Sequence, residues 1–66
     1  MTKYDTEVWS LATMLVGKHG VRATTFATHQ ALKARSQGET ARMETWQQIA
    51  DAATEILNSD PEMVPR

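Results

Sequence analysis

No cysteine occurs anywhere in the 66 residues. That excludes a disulfide framework and any thiolate zinc site. The two histidines, His19 and His29, are too few to build a metal centre. Proline is scarce, and Pro61 and Pro65 both lie near the C-terminus, so no proline interrupts a helix upstream. No apolar run approaches the ~20 residues needed to cross a bilayer. The N-terminal stretch "MTKYDTEVWSLATMLVGKHG" lacks a basic start followed by an unbroken apolar run, so it does not read as a signal peptide. Charge of one sign is missing too: 7 Lys and Arg stand against 8 Asp and Glu, for a net charge of −1. Such a balance gives no strong general attraction to nucleic acid or to a membrane. The expectation is a soluble, cytoplasmic protein without a cofactor.

What is present is helical punctuation. Glycine stands at 17, 20 and 38, and no stretch alternates apolar and polar residues in the manner of a strand. The pattern predicts an all-α fold, a small three-helix bundle with helices at about 6–19, 22–37 and 40–58. One domain would span 1–58, with a flexible tail at 59–66. Asp5 is the expected N-cap of the first helix, and Gly20 its stop. Gly17, inside that helix, is expected to let another helix come close. The start of the second helix is open: Arg22 begins it, or Thr24 or Thr25 caps a shorter one. Gly38 ends it. Glu39 or Thr40 starts the third, and "NSDP" stops it, because Pro61 disfavours helix in the residue before it.

The helical period sorts the faces. In the third helix Met43, Trp46, Ile49, Ala50, Ala53, Ile56 and Leu57 share one side, which makes Trp46 a core anchor. In the second, Ala23, Ala27, Ala31 and Ala34 form a small-residue row beside Phe26, and such a row lets helices approach closely. The first helix is broader. Val8, Leu11, Ala12, Leu15 and Val16 form its stripe, which Trp9 extends on one side and Met14 on the other. The apolar arc covers about 220°, where ~100° or somewhat more suffices for a surface helix. Two arrangements fit: the helix is wedged between the others, or an edge near Trp9 and Met14 is an interface with another molecule. A chain this short buries only ~60% of its unfolded surface, which favours the partner. Leu11, Leu15, Phe26 and Trp46 are the expected large core residues.

Charge is unevenly placed. Lys18, Arg22, Lys33, Arg35 and Arg42 face Glu39 alone in the middle of the chain, while Glu44, Asp51, Glu55, Asp60 and Glu62 face Arg66 alone toward its end. The simplest consequence is attraction between the second and third helices, or plain solvation. The stretch "GKHGVRATTFATHQA" gathers both histidines, yet it is not a phosphate loop, because it lacks the longer glycine frame and a preceding strand. His19 falls on the apolar side of its helix, where an imidazole meets the negative end of the dipole. Ser10 and Ser36 stand alone, so no nucleophile is set beside a base and an enzyme is not expected. Lys18, Arg22, Thr24 and Thr25 leave room for an anion at the start of the second helix. Arg22, His29 and Lys33 form a basic stripe that would touch phosphates in a helix-turn-helix, but there the third, recognition helix is acidic.

The run "KHGVRATTFATHQALKARSQGETARMETWQQIADAATEIL" resembles short α-proteobacterial all-helical proteins of a domain of unknown function. The pattern is a His-Gly-x-x-Ala corner, a Gly-acidic turn, and a tryptophan opening an Ile-Ala helix. His19, Gly20, Ala23, Gly38, Glu39, Trp46, Ile49 and Ala50 carry it, with glutamate where aspartate is the family's residue. The resemblance implies a small helical domain and brings no catalytic residue. The functional expectation is a non-enzymatic protein-interaction module, a small regulator or accessory subunit, that uses Trp9 and Met14 toward itself (as a homodimer) or another protein. The alternative is a weak nucleic-acid or anion binder through Lys18, Arg22, His29 and Lys33.

Overall fold

Asp5 starts the first helix as its side-chain type predicts. Its carboxylate accepts the backbone N–H of Glu7 at 3.3 Å, which satisfies one of the free amides of the first turn. The structure is a computed structural model that describes residues 4–59. It is all-helical, and no strand occurs among the described residues. Three α-helices follow one another: α1 (Thr6–His19), α2 (Ala23–Ser36) and α3 (Thr40–Ser59). The expected tail falls outside the described residues from Asp60 onward, while Ser59 still belongs to α3.

Gly20 closes α1 with φ 62° and ψ −134°, and its amide bonds the Val16 carbonyl. That backbone conformation is strained for any residue with a Cβ, which is why glycine stands there. The chain then makes a single 3-10 turn, Gly20–Arg22, before α2 begins at Ala23. The second helix therefore starts one residue later than Arg22, and neither threonine caps it. Arg22 occupies the cap position without a side-chain cap bond. The 3-10 turn runs into the helix directly, with the Ala23 amide bonded to the Gly20 carbonyl, so that amide needs no side chain to satisfy it.

At its other end α2 stops at Ser36. Gly38 has φ 75°, its amide bonds Arg35 O at 3.1 Å, and the Glu39 amide bonds Ala34 O at 2.9 Å. These two bonds form the Schellman pattern, which satisfies carbonyls that the helix end leaves free. Met43 N–H then bonds Glu39 O at 2.9 Å, so Glu39 caps α3, which begins at Thr40. Residues 37–39 are the whole connection, and a link this short makes neighbouring helices antiparallel. Thr24 and Thr54 meet at one end of the α2–α3 pair, while Arg35 and Met43 line one groove at the other.

The core is made of small side chains. Among the described residues, eight of the eleven buried apolar ones are alanine, two are Val8 and Val16, and Ile49 is the one large side chain fully enclosed. Ala23, Ala27, Ala31 and Ala34 are buried along α2, as their spacing predicts, and Ala23 and Ala27 share one core cluster with Ala50, Ala52 and Ala53 of α3. The helices are packed unequally: α3 meets α2 far more extensively than α1 meets α2. Tyr4, Trp9, Leu15, Trp46, Ile56 and Leu57 pack around this core while remaining half-buried.

Two expectations are corrected here. Leu11 is not a core residue; it is 39% exposed. Val8, Ala12 and Val16 take the buried side of α1 and turn Leu11 outward. Gly17 lets no helix come close, for it is exposed and an added Cβ would meet no atom within 4 Å. Nor, among the described residues, does an ion pair join basic α2 to acidic α3; Arg42 pairs locally with Glu39 at 3.3 Å, three residues away.

Candidate functional site

The corner that joins α1 to α2 collects aromatic rings. The φ of Gly20 turns the chain sharply after His19, and His19 stacks on Phe26 with centroids 4.7 Å apart and planes 15° from parallel. Phe26 in turn meets Trp46 of α3 edge-on, at 6.0 Å and 73°. Both geometries are favourable for ring quadrupoles. His19 is half-buried in this stack at the C-terminal end of α1, so one face of its imidazole is taken by packing.

Beside the rings lies a hollow of about 550 Å³, lined by His19, Arg22, Thr25, Phe26, His29 and Gln30. A second hollow of about 390 Å³ adjoins it at Gln30 and runs past Lys33 and Gln37 to Arg42 and Trp46. Helical spacing explains the alignment: Arg22, His29 and Lys33 project within about 40° of one another along α2. The structure thus brings together three residues of the expected basic stripe. Lys18 is not among them; it is exposed on α1 and lines neither hollow. Thr25 lines the first hollow. Thr24 is engaged elsewhere, with its hydroxyl 3.0 Å from that of Thr54. Thr54 gives its own proton to Ala50 O at 3.0 Å, so Thr24 is the donor between the two hydroxyls.

A third hollow, about 410 Å³, lies between α1 and α3 and is lined by Leu11, Ala41, Arg42, Thr45, Trp46 and Ile49. It bears on the expected interface residues. Trp9 and Met14 are about 140° apart on the helix, and they have different surroundings. Trp9 is half-buried and stacks on Tyr4, at 5.9 Å and 29°. Met14 is 68% exposed. They form no common edge; the open apolar edge of α1 is Leu11 with Met14.

Sequence reasoning missed Leu11 as a surface residue, and it missed that Trp46, packed against the core, also lines two hollows. The signal for Leu11 was its place within the broad arc of α1, between Met14 and the buried stripe. Trp46 carried none, because its spacing is that of a core residue. Among the described residues no three side chains of metal-ligating type converge, and no buried polar side-chain atom lacks a hydrogen bond. No helix among them is long and apolar enough to cross a membrane. Comparison with protein-family models, with curated proteins and with solved structures returned no match.

Proposed function

We propose that the chain is a small three-helix bundle that serves in the cytoplasm as a non-enzymatic protein-interaction module, and that a second copy of the chain covers its α1–α3 face. One observation carries this reading: alanines make up most of the enclosed core, while Leu11 and Met14 on one side of α1 stay exposed. Each buried alanine methyl contributes about 0.8 kcal/mol. The eight buried alanines together match about three buried leucines on that scale. Leu11 and Met14 meanwhile stay in water, next to an apolar hollow on the same face. A face that holds both a ridge and a hollow can be self-complementary about a two-fold axis, with each ridge entering the other copy's hollow.

Sedimentation equilibrium over a wide concentration range tests the proposal. The expected result is a monomer–dimer equilibrium that Met14→Glu weakens by about tenfold or more, since a buried methionine contributes about 1.5–3 kcal/mol. Met14 is exposed, so the substitution leaves the fold of the single chain intact. A monomer at every concentration would sink the two-fold assembly and leave the face to a different protein.

A further inference from the structure

We infer that the flank of α2 beside Trp46 is a binding site for single-stranded nucleic acid, holding about two consecutive nucleotides. Three features meet there. The rings of His19, Phe26 and Trp46 follow one another at 4.7 and 6.0 Å. The two hollows along them share Gln30, and each sets rings beside cationic side chains: Phe26 and His19 beside Arg22, then Trp46 beside Lys33 and Arg42. No aspartate or glutamate lines either hollow, in a chain that carries 8 of them.

The cations are available. Arg22 and Lys33 take part in no ion pair among the described residues, and both are exposed. Arg42 is held by Glu39 at 3.3 Å and is the weaker contributor. From Arg22 to Lys33 the stripe runs ~16 Å along the helix, a reach for about two or three phosphates. Both hollows exceed the ~300 Å³ at which small-ligand pockets begin. Splayed bases can reach the rings, whereas bases stacked inside a duplex present no face to them. Every base has a π-face, so the site tolerates sequence; Thr25, Gln30 and Gln37 supply hydrogen-bonding groups at the base edges.

Three strands decide it, all followed by fluorescence anisotropy at about 20 mM salt, where phosphate contacts are strongest. They are a labelled oligo-dT of roughly 12 nucleotides, an abasic strand of equal length and charge, and the corresponding duplex. The single strand is expected to bind, and the abasic strand and the duplex to bind about tenfold more weakly or worse. Between ~50 and ~200 mM salt the affinity should fall about twentyfold, as expected for about three phosphates on a single strand. Arg22→Ala and Lys33→Ala should each weaken binding several-fold and flatten the salt dependence. Equal affinity for the abasic strand overturns the proposal, as does absence of binding at low salt. Indifference to both Arg22→Ala and Lys33→Ala overturns it as well. The strand comparison uses the unaltered chain, so it stands whether or not any variant folds.

Discussion

The α2–α3 seam and the α1 helix solve the same problem in opposite ways. Along the seam Ala23, Ala27, Ala31 and Ala34 of α2 are buried, as are Ala50 and Ala53 of α3, and the two helices are joined by the Thr24–Thr54 hydrogen bond. Small side chains let the two backbones approach toward the short end of the usual 8–10 Å range. Helix α1 carries an apolar surface wider than one neighbour can cover. It buries Val8, Ala12 and Val16, half-buries Trp9 and Leu15, and leaves Leu11 and Met14 open. Close approach and large buried area are therefore different resources, and this chain has much of the first and little of the second. Ile49 links them: it lies in the shared core and also lines the hollow beneath Leu11.

The comparison is broken most severely at that link. Ile49→Ala should cost about 2–5 kcal/mol, because it removes the one large enclosed side chain and leaves a void that the alanines around it cannot fill. A chain of this length has ~3–10 kcal/mol in total, so urea unfolding should show the midpoint collapse or the native baseline disappear. An unchanged midpoint would mean that Ile49 does not hold the two regions together.

The seam is tested from the other direction by adding volume. Ala27 has no exposed surface, and Ala27→Leu should cost about 1–3 kcal/mol by forcing α2 away from α3. The same measurement reads it; a neutral or stabilising result would show that the seam is loose enough to accept three more carbons.

The smallest effect sharpens the picture of α1. Gly17 is exposed, and a methyl there meets open space. Gly17→Ala should therefore raise stability by about 0.5–1 kcal/mol, through helix propensity and a less free unfolded chain. A loss instead would mean that this turn of α1 is approached by something after all.

Legibility in the sequence followed how local the physics is. Both ends of α1, the stop of α2 and the start of α3 were readable, because Asp5, Gly20, Gly38 and Glu39 act within a few residues of where they stand. The start of α2 was not. Val21 and Arg22 give no capping signal, and the 3-10 turn that replaces the cap is specified by backbone alone. For the candidate site, the alignment of Arg22, His29 and Lys33 followed from helical spacing. Their company of His19, Phe26 and Trp46 did not, since it depends on a corner and on a second helix.

Composition, glycine placement and the 3.6-residue period by themselves determined an all-helical chain, the burial of the α2 alanine row and the absence of disulfides. Only the tertiary structure decided which part of the α1 arc is covered, that Leu11 faces water, and that Gly17 has no neighbour. It alone set Trp46 beside Phe26 at the surface of the α2–α3 pair. The physical reason is that periodicity places residues on a face but carries no information about the direction from which the next helix arrives. That direction is fixed jointly, by the turn at Gly20 and by how closely an alanine surface lets its neighbour approach.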